Sequence, residues 1–275
     1  MYNQENLRTF VKKKYMSKAK LWEGPVYLEP IEHKYIHRET GKKYKSVTTT
    51  LTSIEPHFDV QGVSAAIVNQ PDDKKQERYI GLSQQEIIDY WQMLNDEANV
   101  YGTKVHDIVE RYLLANKWYY PEDNEEGEFE QKVIDGYNAL NIDEGIAVWP
   151  ERILFAEQYE LAGMSDLIID IDDVFFDILD HKTNRVFNFY NPYGYETLYK
   201  PFDHLQACQW SIYTLQLSVY AYMYELEFPK RKCRQIVVLY WDKEKMTFEK
   251  IHIMYLKHEA KKLIDLHYYN LMKNA

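Results

Sequence analysis

Cysteine is scarce: the chain has two, Cys208 and Cys233, and they form no Cys-x-x-Cys pair. A thiolate zinc site or an iron–sulfur cluster needs more sulfur ligands than that. A disulfide framework is excluded as well, although a single bridge stays open, and the composition suits a reducing compartment. Long apolar runs are also missing. No segment approaches the roughly 20 apolar residues of a membrane span, and Met1-Tyr2-Asn3-Gln4-Glu5 opens no apolar signal core. The expectation is a cytoplasmic chain without membrane contact. No Gly/Ser- or Pro-rich linker and no internal repeat divides the sequence, so one domain over 1–275 is expected. Basic excess is lacking too. The net charge of -10 argues against a generic nucleic-acid coat.

What is present is enough apolar material for a core, 45% of 275 residues. The 25 tyrosines supply rings with apolar bodies and polar tips. Such rings suit base stacking and an ordinary core alike. Charge is uneven. Basic clusters stand at Lys12-Lys13-Lys14, Lys42-Lys43, Lys230-Arg231-Lys232 and Lys261-Lys262, and acid gathers at 122–130 and 166–180. Taken singly, each cluster reads as a solvated face. Carboxylates gathered for a divalent metal would also lower the net charge while local basic patches held phosphates.

Along the chain, a polar helix is expected to about Lys20, then strands at 26–28, 34–37 and 44–50. Together with Pro56 these make an N-terminal helix and hairpin over 1–56. Residues 57–100 read as a helical arch. Within it, Ser83 and Glu86 have capping-box spacing, which predicts a helix start. Helical pattern runs through Trp91 and Ala98, again from 103 to about 118, and from about 128 to 140. Strands follow at 152–159, 161–171 and 174–180. A helix at 205–226, strands at 236–241 and 246–254 and a final helix from about 257 to 272 complete the chain. The order predicts an α/β fold with a central mixed β-sheet flanked by helices, its core over 101–275.

Three stretches carry candidate chemistry. In Leu161-Ala162-Gly163-Met164-Ser165-Asp166 and Ile178-Leu179-Asp180-His181-Lys182, two apolar strands each bear an Asp. Asp180 and Lys182 share a strand face. A three-residue loop at 171–173 would set Asp166 opposite Ile178 and diagonal to Asp180. A two-residue loop would turn Asp166 away, so an odd-length loop or a bulge is predicted. Carboxylates are hard ligands for Mg²⁺ or Mn²⁺, and a lysine beside them can offset charge growing on a phosphate. The plain alternative is an exposed ion pair of little consequence. The second stretch, Gly102-Thr103-Lys104-Val105-His106 to Glu110, puts His106 and Glu110 on one helical face. The third puts Gln216 and Tyr220 on one face, apart from the Leu215/Val219 stripe.

In this order, Gly102-Thr103-x-x-His106-x-x-x-Glu110, Gly163-x-x-Asp166, Asp180-x-Lys182 and Gln216-x-x-x-Tyr220 resemble the PD-(D/E)XK nuclease superfamily. The RecB-type exonuclease branch, with its phage and mitochondrial genome maintenance members, is the nearest pattern. The match covers about 100–225, and Lys45-Ser46-Val47-Thr48-Thr49 resembles the start of phage members. The resemblance implies a restriction-endonuclease-like core and a phage-type exonuclease of DNA recombination or repair. It makes His106, Asp166 and Asp180 metal ligands, with the backbone carbonyl of His181 completing the shell. Lys182 becomes the catalytic lysine, and Glu151 falls where relatives carry a Glu before the Gly-x-x-Asp element. Thr103, Glu110, Gln216 and Tyr220 flank the site, hold DNA or steady Lys182. Mg²⁺ or Mn²⁺ is the implied cofactor and DNA, as single strands or ends, the implied partner. The sequence departs from the family in having Ser165 where the name-giving Pro would precede Asp166. It also lacks the four cysteines of the iron–sulfur branch and any Gly-x-x-x-x-Gly-Lys-[Ser/Thr] nucleotide motif, so neither a cluster nor a bound nucleotide is expected.

Two other readings stand beside the nuclease. One is a non-catalytic DNA-binding or assembly protein on the same scaffold, separated by DNA cleavage with and without EDTA. The other is a metal enzyme acting on a small phosphate ester, separated by oligonucleotide competition.

Overall fold

In the computed structural model, which describes residues 22–191 and 196–273, short alternating stretches become strands. Tyr35 and Tyr44 are buried while Lys34, Lys43 and Lys45 are exposed, the two-residue period of a half-covered sheet. They belong to an antiparallel meander, β1 (Val26–Glu29), β2 (Lys34–His37) and β3 (Lys43–Ser46). The helix expected before Lys20 lies outside the described residues.

The expected strand at 44–50 ends at Ser46. Val47–Thr52 is instead a short helix, α1. The Ser46 hydroxyl accepts from the Thr49 N–H at 2.9 Å, and the Thr50 hydroxyl donates to the Ser46 carbonyl at 3.1 Å. These local bonds override the β preference of the threonines. After α2 (Val60–Val68) comes α3 (Gln84–Leu114), which begins at the capping box of Ser83 and Glu86. It runs unbroken past 100, so the residues read as an arch and those read as the start of the core share one helix. Gly102 lies within it because a Cβ there would stand 2.8 Å from Thr183 Oγ1.

The remaining elements are α4 (Glu125–Ala139), β4 (Ala147–Ala156), β5 (Leu161–Asp170), β6 (Phe175–Lys182), α5 (Gln209–Glu227), β7 (Lys232–Asp242), β8 (Thr247–Ile253) and α6 (Lys257–Lys273). The fold is mixed α/β, with an eight-stranded mixed sheet ordered β1-β2-β3-β5-β6-β7-β8 and β4 paired to β5. Helices cover both faces. Leu167, Ile169, Leu179 and Val237 pack with Val105 and Ile108 of α3 and Val133 of α4. Ile168, Ile178, Ile236 and Val238 pack with Leu215 and Val219 of α5 and Leu263 of α6. This explains the near-continuous apolar runs of the central strands. Each fully buried aliphatic side chain contributes about 1.5–3 kcal/mol, so two-sided burial holds these strands.

Two features of register position the site. β4 runs along one whole edge of β5, from Ala147↔Asp170 to Ala156↔Leu161. The other edge is shared: β3 takes Leu161 and Ala162 in parallel, and β6 takes Leu167 to Asp170 antiparallel. Between them, residues 163–166 have no strand partner on that edge among the described residues, so the sheet opens there. The β5–β6 loop has the predicted odd length but is longer, since Asp170 opposes Phe176. Asp172 Oδ1 accepts from the Val174 and Phe175 N–H groups at 2.7 and 2.6 Å, which sets this turn. The register therefore shifts by two residues from the expected one. Continued one step past Leu167↔Leu179, it sets Asp166 directly across from Asp180. Among the described residues, no helix is long and apolar enough to cross a membrane, and both cysteines are free.

Candidate functional site

Strand alternation sorts the residues of β6. Leu179 packs toward α3 and α4, while Ile178 packs toward α5. His181 follows Leu179 into the first layer, where its ring lies 6.2 Å from Tyr137 and 5.8 Å from Phe248. Lys182 takes the α5 side, with Nζ 4.8 Å from the Tyr213 ring and ion-paired to Asp180. Asp166 sits at the opening of the sheet and reaches between the layers. Its Oδ2 accepts from the His181 backbone N–H at 2.8 Å. The same oxygen lies 3.4 Å from His106 Nδ1 and 3.6 Å from His181 Nδ1.

One ligand atom each from His106, Asp166 and His181 therefore falls within 4.8 Å of the others. The donor set fits a divalent cation: a carboxylate and two imidazoles, with His181 Nε2 buried and lacking a hydrogen-bond partner. The ring of His181, and not only its backbone, faces this cluster. Sequence reasoning considered only the carbonyl, because alternation places the side chain opposite Asp180 and Lys182. Asp180 lies beside the cluster, held to Lys182.

Electrostatics bind these groups together. Burial opposes the charge on Asp166, but His106, the His181 hydrogen bond and Lys182 outweigh it and hold the carboxyl below its usual range. Asp180 is pushed up to about 6 by burial and by the Asp166 charge. Burial disfavours the Lys182 ammonium, yet Asp180 and Asp166 more than compensate and raise its pKa. Burial lowers that of His181.

Glu151 lies on β4 between the pairs Pro150↔Leu167 and Arg152↔Ser165, hence across from Asp166. Its φ of 46° is a strained conformation for a non-glycine residue. Burial, then the charges of Asp166, Glu110, Asp180 and Asp107, push its carboxyl up to about 9. That places Glu110 of α3 in the same field. Burial and Asp107 raise the pKa of Glu110 itself.

The other expected residues divide. Tyr220 is 2% exposed, so it supports the site from within the core. Its hydroxyl accepts from Gln216 Nε2 at 3.0 Å. Its ring fills the space beside Gly163, where a Cβ would stand 2.5 Å from Tyr220 Cε1. That close approach is the reason for glycine at the opening. Thr103 is exposed on α3. The ring that meets Lys182 belongs to Tyr213, one helical turn before Gln216, which sequence reasoning did not single out. Helical spacing from Tyr220, two turns on, could have found it.

No family model matches the chain, and no curated protein sequence does. Among solved structures, the "Putative exonuclease" from Eubacterium rectale is similar over 64% of this chain, at 12% identity and a TM-score of 0.37. The chain spans 65% of the length of that protein. SSO0001 is similar over 65% of this chain and 71% of its own, at 11% identity and a TM-score of 0.26. Likeness at this level carries no functional argument. The class the fold defines is a mixed α/β protein with a central eight-stranded sheet between helices.

Proposed function

We propose that the chain is a metal-dependent deoxyribonuclease that hydrolyses phosphodiester bonds, working as an exonuclease on single strands or DNA ends. One observation carries this reading: His106, Asp166 and His181 bring their ligand atoms within 4.8 Å of one another, beside the Asp180–Lys182 pair. His106, Asp166 and Asp180 would hold the metal, joined by His181. The imidazoles favour Mn²⁺ over Mg²⁺ relative to an all-oxygen site. A bound divalent cation would supply polarisation of a phosphate oxygen and a more acidic water.

The protein groups have their own tasks. Lys182, kept charged by Asp180 and Asp166, offsets negative charge growing on the phosphate. Asp180 fixes the ammonium in place, and the Tyr213 ring shields one side of it from water. The His181 N–H fixes the Asp166 carboxylate. Glu151 carries a proton at neutral pH in the metal-free state, which limits repulsion among the acids.

The test is cleavage of labelled DNA in Mn²⁺ or Mg²⁺. The wild type should cleave and should stop in EDTA. Asp180→Ala, and the shape-preserving Asp180→Asn, should lose about 10²–10³-fold in rate while circular dichroism shows a retained fold. Unchanged cleavage by both variants removes the site assignment. Binding without cleavage by the wild type points to the non-catalytic alternative.

A further inference from the structure

A row of aromatic rings leads from the half-buried Lys182 of the site to the surface. The Tyr213 ring lies 4.8 Å from Lys182 Nζ and 5.7 Å from the Phe187 ring. Phe187 lies 5.0 Å from Phe189, and Phe189 lies 5.3 Å from Trp210 at an interplanar angle of 37°. The row surfaces at Phe189, with Tyr213 and Trp210 half-buried on either side of it. Phe187 is 8% exposed, Phe189 53% and the adjoining Tyr190 66%.

The backbone that carries these rings is pinned. Gln209 Oε1 accepts from the Asn188 N–H at 2.9 Å and from Asn184 Nδ2 at 3.0 Å, and the Trp210 N–H donates to the Asn188 carbonyl at 3.0 Å. Single exposed apolar side chains need no explanation, whereas a connected patch marks a binding surface. This patch is aromatic and not aliphatic, the buried Phe187 links it to Tyr213 beside Lys182, and the exposed Arg185 adds a cation on the same loop. Flat rings beside cations fit nucleobases with their phosphates. The bases must be unpaired, because a duplex keeps their faces stacked inside.

We propose that Phe189 and Trp210, flanked by Tyr190, form a stacking platform for the bases of single-stranded DNA whose phosphates reach Lys182 and Arg185. The platform makes the single strand the preferred substrate, and in that respect it rests on the nuclease reading. Ring faces supply affinity without base identity, so binding is tolerant of sequence.

The experiment is fluorescence anisotropy in EDTA with a short labelled oligothymidylate, a duplex of equal length and an abasic oligomer. Thermal melts verify that the variants fold. Phe189→Ala should weaken oligothymidylate binding about 5- to 100-fold, and Phe189→Trp should restore it. The abasic oligomer should bind the wild type as weakly as oligothymidylate binds Phe189→Ala. Equal affinity of wild type and Phe189→Ala, equal affinity for abasic and normal strands, or preference for the duplex would each overturn the platform. Hydrolysis of bis(p-nitrophenyl) phosphate in Mn²⁺ reads the metal site separately: the wild type should turn it over, and Asp180→Asn should lose that activity. If the wild type cleaves neither DNA nor this diester but binds strands through Phe189, the nuclease reading falls and the platform stands. If cleavage is intact and independent of Phe189, the reverse holds.

Discussion

Lys182 and Glu151 show how single side chains are tuned by charge. Lys182 is half-buried, and Asp180 and Asp166 stabilise its charge. Lys182→Ala should therefore reduce cleavage by about 10²–10³-fold without a matching loss of Mn²⁺ binding, as single-turnover rates and calorimetry can verify. Glu151 has the opposite character. Its folded pKa of about 9 exceeds the reference of 4.5, so above that reference the folded chain keeps a proton that the unfolded chain releases. The resulting stability is fully present below pH 4.5 and is lost as pH rises toward about 9. Asp180, raised to about 6, contributes in the same sense in the lower part of that window. Urea midpoints of the metal-free protein should fall across this range, and Glu151→Gln should flatten the fall above about pH 6. A variant that keeps the wild-type slope would show that Glu151 is not the group responsible.

Elements place these groups, and their local chemistry was partly legible. The capping box at Ser83 and Glu86 forms as its spacing predicts, so Ser83→Ala should cost about 0.5–2 kcal/mol in denaturant unfolding. The pairing of Asp180 with Lys182 followed from strand period alone. The threonines after Ser46 misled, because β-branched composition says nothing about a serine that caps the next turn. The β5–β6 register was missed by two residues because an Asx turn at Asp172 lengthened the loop. Gly163 was visible as a letter, but its reason, the Tyr220 ring 2.5 Å from a would-be Cβ, lies on an element far along the chain. Gly163→Ala should cost about 1–3 kcal/mol by overpacking, with Tyr220→Leu as a partner change that recovers part of it in a double-mutant cycle.

At the scale of the whole molecule, the order of strands and helices gave the α/β architecture, since apolar runs between helical stretches imply a sheet covered on both faces. The site's depth was not legible. It depends on β3 joining β5 in parallel for two residues and then leaving its edge to β6. That long-range pairing opens the sheet at Asp166, so one carboxylate can face His106 from the α3 layer and lie beside Asp180 and Lys182 from the α5 layer. No local pattern encodes such a split, and the same split explains why the His181 ring joins the cluster.

The central claim is that this opening holds a divalent ion, and the anomalous scattering of Mn²⁺ in crystals of the protein tests it most directly. A single strong peak is predicted among His106, Asp166 and His181, with Asp180 alongside, and it should vanish in Asp166→Ala crystals. Saturating Mn²⁺ with no peak there, or with an ion bound only elsewhere, would contradict the account.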